Sequence, residues 1–376
     1  MGFGDWGLTP KLQLKKVLLL ATTLERNVGI DVARAGLIIM MLVFHSFGQA
    51  QLVTTLDIDQ NYNVNRWMGQ VTGSFPFLIG FLLGFRYLVG DGSGGVPVRP
   101  LISRALKLIA LFFVLNILLI LVDQAFDDFP IPLPGTPDLQ SLILADPGLV
   151  AYDLLMPLGE IVLIGAVLLK VRTVYQNDRF MRCSLAVAAI IMALFGNLTV
   201  LYLACGMMGL GLGSWFANPD NSIILRDRWQ ISLLGLLPGI ILAITEKNGP
   251  DNGLLYLISI SGLFFAFHNL GRFALWRKDG WFSRVTNRFA RGSLMIYLVH
   301  IPILPFLAKF SGPLFSQSDL WLAFFALLAA ITVNMGCFVY FMELYQPRIN
   351  QSAQKLKLVC NRVVPGVSLI EEENRK

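Results

Sequence analysis

Long apolar runs, each closed by short polar or basic links, dominate this chain from residue 29 to residue 343. The runs fall at about 29–48, 67–89, 102–123, 148–169, 182–197, 199–217, 229–245, 253–270, 292–309 and 321–343. Most approach the ~20 residues that a helix needs to cross a bilayer. The pattern predicts an all-α protein, a polytopic transmembrane bundle of about ten spans. Residues 183–217 read either as one long span or as two short ones hinged at Gly196-Asn197. Parity selects two: a single crossing would put the basic loop 271–291 outside the cell.

Basic residues orient the spans. Lys11, Lys15, Lys16 and Arg26 precede the first run, and Arg86, Arg99, Arg104 and Lys107 flank the link between the second and third. Both places read as cytoplasmic. Residues 108–169 carry no Lys or Arg but hold Asp123, Asp127, Asp128, Asp138 and Asp146 in and around a Pro-rich loop, which reads as external. Arg272, Arg277, Lys278, Arg284, Arg288 and Arg291 return the chain to the cytoplasm, and both termini are expected there. Residues 1–28 read as a basic amphipathic segment on the membrane surface. Residues 29–344 form the membrane domain and 345–376 a polar tail.

Composition agrees. Of 376 residues, 55% are hydrophobic and 14% charged, which excludes an ordinary soluble domain. The net charge of +6 needs no nucleic-acid partner, because cytoplasmic loops of membrane proteins carry such an excess. Cys183, Cys205, Cys337 and Cys360 show neither disulfide nor zinc spacing, and no metal site is expected.

Chemistry concentrates in the first run, GIDVARAGLIIMMLVFHSFG. Arg34 and His45 are eleven residues apart there, which on a helix returns them to nearly one face, ~16 Å apart along the axis. Asp31 lies close to the same stripe. Ionisable groups inside a membrane are costly and read as functional by default. Arg34 either reaches the cytoplasmic interface or binds an anion, with Arg86, Arg99, Arg104 and Lys107 at the same membrane face. His300, in GSLMIYLVHIP, stands between a helix-helix hydrogen bond and proton transfer, and His268 reads as a packing histidine. Glu160 lies deep in the fourth run without a local partner, and Asp153 lies nearer the outside. Each reads as a contact for a polar acceptor or as the partner of a basic residue elsewhere. The glycines of GMMGLGLG (206–213) permit close helix packing or a break, and DGSGG (91–95) is a linker.

Three segments resemble the acyltransferase-3-type transmembrane acyltransferases, a superfamily that also includes glucan succinyltransferases and heparan-glucosaminide acetyltransferases. They are RNVGIDVARAGLIIMMLVFHSFG, with its Arg-x10-His spacing, GSFPFLIGFLLGFRYL with the basic link after it, and RGSLMIYLVHIPIL. The chain departs from the family pattern at Ile79, at the spaced Arg99, Arg104 and Lys107, and at Ala35 after Arg34. The resemblance implies acyl transfer, acetyl or succinyl, from cytoplasmic acyl-CoA to a glycan or other polar acceptor, in a bacterial inner membrane. On that reading, Asp31, Arg34, Arg86, Arg99, Arg104 and Lys107 hold the donor, and a pantetheine arm spans the ~16 Å to His45. His45 acts as base or transient acyl carrier. Glu160 and His300 are the other candidate catalytic groups, and Asp153 and Tyr297 the candidate acceptor contacts. The rival readings are a proton-coupled transporter or flippase through His45 and Glu160, and a non-catalytic membrane scaffold.

Overall fold

In the computed structural model the apolar runs become helices, and no strand occurs among the described residues. The structure describes residues 28–54, 64–87, 98–125, 152–175, 178–195, 197–217, 252–274, 280–311, 321–337 and 339–340, with single positions at 230, 237 and 345. Most of 1–28, 123–146, 229–245 and 345–376 lies outside them, and with it the expected amphipathic segment, acidic loop, seventh span and tail. The helices are α1 Val28–Thr54, α2 Val64–Tyr87, α3 Val98–Ala125, α4 Leu155–Tyr175 and α5 Asp178–Ala193. They continue with α6 Leu198–Phe216, α7 Gly253–Ala274, α8 Trp281–Ser311 and α9 Trp321–Cys337. Five contain stretches of at least 19 residues long and apolar enough to cross a membrane: Val28–Ala50, Val98–Val122, Leu198–Phe216, Gly253–Gly271 and Phe282–Lys309. Leu106, Val114, Ile117, Leu118 and Leu121 of α3, and Trp321, Leu322, Phe325 and Val333 of α9, are exposed. Apolar surface on this scale suits hydrocarbon rather than water.

Residues 182–217 form two helices, as the parity argument expects. α5 ends at Ala193, and Asn197 starts α6 from an extended backbone (φ −92, ψ 129). Its Oδ1 accepts from the Thr199 and Val200 N–H groups at 2.9 and 3.2 Å, capping donors that have no partner inside the helix. α8 departs from expectation by starting at Trp281, eleven residues ahead of the predicted span. Arg284, Arg288 and Arg291 therefore sit on a helix rather than in a loop, all exposed, while Thr286 and Ala290 are buried. Hydropathy marks only the apolar part of a helix. An amphipathic continuation into the aqueous phase satisfies the same backbone hydrogen bonds without raising it.

Inter-helix contacts fix directions. Gly80 meets Gly206 and Leu210 while Gly84 meets Leu210 and Ser214, so α2 and α6 run parallel. Gly73 meets Tyr256 and Ile260, and Phe77 and Phe81 meet Phe264, so α7 is parallel to both. α1 runs opposite to α7, since Gly36 meets Phe267 while Val32 meets Gly271. α3 and α4 are antiparallel, with Asn116 beside Tyr152 and Ile109 beside Gly159. Phe47, late in α1, packs on Trp321 and Phe324 at the start of α9. These directions agree with the alternation that the sequence predicts for these helices.

The tightest seam joins α2 and α6. A β-carbon at Gly80 would overlap the Gly206 carbonyl oxygen, and one at Gly84 the Leu210 carbonyl oxygen. β-carbons at Gly209 and Gly213 would overlap the carbonyl oxygens of Phe77 and Phe81. The obstacles are backbone atoms, which cannot rotate away. Small residues that let helix backbones touch are the usual basis of association in lipid, where burial from water supplies no drive between helices. Gly209→Val should therefore separate α2 from α6 and cost about 1–3 kcal/mol or more. Gly48→Ala, whose β-carbon would meet nothing within 4 Å, should leave the protein unaffected. Thermal unfolding of the two variants in detergent checks this, and equal midpoints would refute it.

Candidate functional site

α1 and α8 run side by side in the same direction and bring the two polar positions of α1 against matching positions of α8. Arg34 Nη2 donates to Ser293 Oγ at 3.4 Å. Farther along, the rings of His45 and His300 meet edge to face, centroids 4.9 Å apart at 63°. Eleven residues of α1 thus match seven of α8, a difference of about 6 Å in helix rise that the long arginine side chain can bridge. Asp31 lies one turn before Arg34 and is half-buried.

The geometry sets the tautomer of His300. Its Nδ1 lies 3.1 Å from the Ile296 carbonyl oxygen, which only accepts, so Nδ1 carries the proton. In the neutral ring that leaves a lone pair on Nε2, a buried atom without a hydrogen-bond partner among the described residues. His300 is 1% exposed; His45 is half-buried and more open. Ser46, next to His45, is fully buried, and its Oγ also has no hydrogen-bond partner among the described residues.

A buried layer of phenols continues from the imidazole pair. The Tyr297 ring is 5.8 Å from His300 and 6.4 Å from both Tyr152 and Phe75. Its hydroxyl lies near the Leu154 backbone but is buried without a hydrogen-bond partner among the described residues. Asp153, in the turn just ahead of α4, lies within electrostatic reach of Tyr202 on α6, Tyr256 on α7 and Tyr297 on α8. The Tyr202 hydroxyl meets the Thr72 side chain, and the Tyr256 hydroxyl lies against the Gly73 backbone. The structure therefore collects His45, His300, Tyr297 and Asp153 from three separate parts of the chain into one polar region.

Other sequence-selected residues lie apart from it. Glu160 is half-buried on α4, its Oε2 buried without a hydrogen-bond partner among the described residues. Arg86 is exposed in the last turn of α2. Arg99, Arg104 and Lys107 are exposed on α3, which packs chiefly on α4. Arg99 and Lys107 line an open groove of about 410 Å³ with Ile102, Ser103, Leu106 and Ala110. These cations share a face of the bundle with Arg34 but do not touch it. Sharing a membrane face leaves open which side of its helix each cation occupies. His268 packs its ring on the Gly29 backbone and stacks near Phe264, in keeping with a packing role.

Sequence reasoning passed over Ser293, Asn116 and Tyr152. Asn116 had a usable signal, as a lone amide inside the apolar run LFFVLNILLI. Among the described residues no group of three His, Cys, Asp or Glu side chains is placed to hold a metal ion.

No curated protein sequence matches the chain. The family model Acyl_transf_3, described as an acyltransferase domain, matches residues 27–339, more than four-fifths of its length. That span takes in all nine described helices and both halves of the Arg34–Ser293 and His45–His300 pairs. The chain belongs to the acyltransferase-3 family and is an integral membrane acyltransferase.

Proposed function

We propose that this acyltransferase takes an acetyl or succinyl group from cytoplasmic acyl-CoA and delivers it to a hydroxyl or amine of a glycan or other polar acceptor. We place it in a bacterial inner membrane with ten spans and both termini in the cytoplasm. The observation that carries the reading is the imidazole pair of His45 and His300, held inside the bundle about 16 Å along α1 from Arg34.

In this reading Arg34, oriented by Asp31 and Ser293, holds the anionic part of the donor at the cytoplasmic end. A guanidinium offers the fork of donors that phosphate oxygens accept. The pantetheine arm then lies along α1 toward His45. As base, His45 takes the proton of the acceptor O–H or N–H while that atom attacks the thioester carbonyl. The C–S bond breaks, and the imidazolium returns the proton to the departing thiolate. As carrier, the His45 imidazole itself attacks the thioester, releases the thiol and passes the acyl group on. His300 presents Nε2 beside this ring, and Tyr297 and Asp153 line the acceptor side. Glu160 is a further candidate for proton traffic along α4. The exposed cations Arg86, Arg99, Arg104 and Lys107 draw the donor toward the membrane face by their field. Family membership supports the enzyme over the transporter and scaffold readings.

Three kinetic outcomes are expected of purified protein in detergent. His45→Ala lowers acyl-CoA turnover by about 10²–10⁴-fold with donor KM little changed, the scale of a lost acid-base group. Arg34→Ala raises donor KM at least about tenfold, and Arg34→Lys recovers only part of it. Well-folded wild type that neither binds nor consumes acetyl- or succinyl-CoA would refute the donor assignment. The double variant Arg99→Ala, Lys107→Ala raises donor KM at low ionic strength only. At about 1 M salt, where the screening length falls to about 3 Å, it matches wild type. A penalty that survives high salt would mean direct contact with the donor.

A further inference from the structure

Pro302 interrupts the hydrogen-bond ladder of α8 two residues beyond His300. In an α-helix the carbonyl of residue 298 accepts from the N–H of residue 302, and proline has no N–H. The Leu298 carbonyl accepts instead from the Tyr152 hydroxyl, at 3.0 Å across the bundle. Tyr152 is 3% exposed and is held from behind. Its backbone N–H donates to Asn116 Oδ1 at 3.3 Å, and Asn116 Nδ2 donates to the Phe112 carbonyl at 3.0 Å. Asn116 is 2% exposed, so the α3 end of the series is shielded from competing water, while the bond to Leu298 is part-buried. A continuous set of hydrogen bonds thus runs from α3, through the turn ahead of α4, to the one carbonyl that Pro302 leaves open.

His300 lies midway between Leu298 and Pro302. Proline is the commonest cause of a sharp helix kink, because the missing bond and the ring both loosen the preceding turn. A change of bend at Pro302 alters how the turn 296–302 meets α1, and with it the distance between the two imidazoles. The Nδ1 bond to Ile296 holds the His300 ring to its own turn, so the ring follows that turn.

We propose that Tyr152 is a positioning residue for acyl transfer: its hydroxyl closes the Leu298 carbonyl that Pro302 leaves open and so holds His300 in register with His45. The proposal rests on reading the imidazole pair as the reacting centre. A phenylalanine would keep the same ring packing and lose only the donor. What the position requires is therefore the phenolic O–H, and only while residue 302 is proline.

That dependence supplies the test. Tyr152→Phe, Pro302→Ala and the double variant are compared with wild type as full-length protein in detergent, by acyl-CoA turnover and by amide hydrogen exchange over residues 296–304. In the proline background Tyr152→Phe should lower kcat about 10- to 100-fold with donor KM within about twofold, the scale of a sub-ångström to 1 Å misplacement. Exchange in that stretch should rise in parallel. In the Pro302→Ala background the alanine N–H bonds the Leu298 carbonyl, and Tyr152→Phe should change both readouts by less than about threefold. Equal losses in both backgrounds, a loss confined to KM, or unchanged exchange in Tyr152→Phe would overturn the proposal. Wild type that fails to consume acyl-CoA would sink the donor assignment alone. The exchange comparison, which needs no substrate, would still decide whether Tyr152 holds this turn.

Discussion

Backbone contact between α2 and α6 is the constraint on which the remaining architecture depends. Where lipid surrounds a helix, apolar side chains gain nothing by leaving it for another helix, so association rests on close packing and on polar groups finding each other. Glycines on both faces let the two parallel backbones touch. α2 also packs against α1, α4 and α7, so its position on α6 is passed to most of the bundle. Phe77, Phe81, Phe264, Phe265 and Phe216 fill the space beside that seam with interleaved rings.

The polar region follows from the same medium. A polar group buried in the bundle must meet another, because hydrocarbon offers it none. α1 contributes Arg34, His45 and Ser46, and α8 answers with Ser293, Tyr297 and His300 along a parallel contact. The turn ahead of α4 adds Tyr152 and Asp153. Arg34 meets Ser293, and the Tyr152 hydroxyl meets the Leu298 carbonyl. Among the described residues Ser46 Oγ, Tyr297 Oη and His300 Nε2 are buried without a hydrogen-bond partner.

Much of this was legible beforehand. Hydropathy located the helices, since crossing a bilayer imposes a length and a composition that are read directly from the chain. The separation of α5 from α6 was legible because parity required two crossings within residues 183–217. The alignment of Arg34 with His45 followed from helical periodicity alone. The early start of α8 was not legible, because amphipathic turns beyond the membrane carry no hydropathy signal.

Within the sequence, then, lie the helical class, the approximate spans, the family resemblance and the two polar positions of α1, all read along the chain one run at a time. Only the tertiary structure decided which helix faces α1. It put His300 beside His45 and turned Arg99, Arg104 and Lys107 outward on α3. It also paired the carbonyl freed by Pro302 with a hydroxyl 146 residues away along the chain. Periodicity fixes the face a residue occupies on its own helix. Which partner that face meets depends on packing between helices distant in sequence, and no single run encodes it.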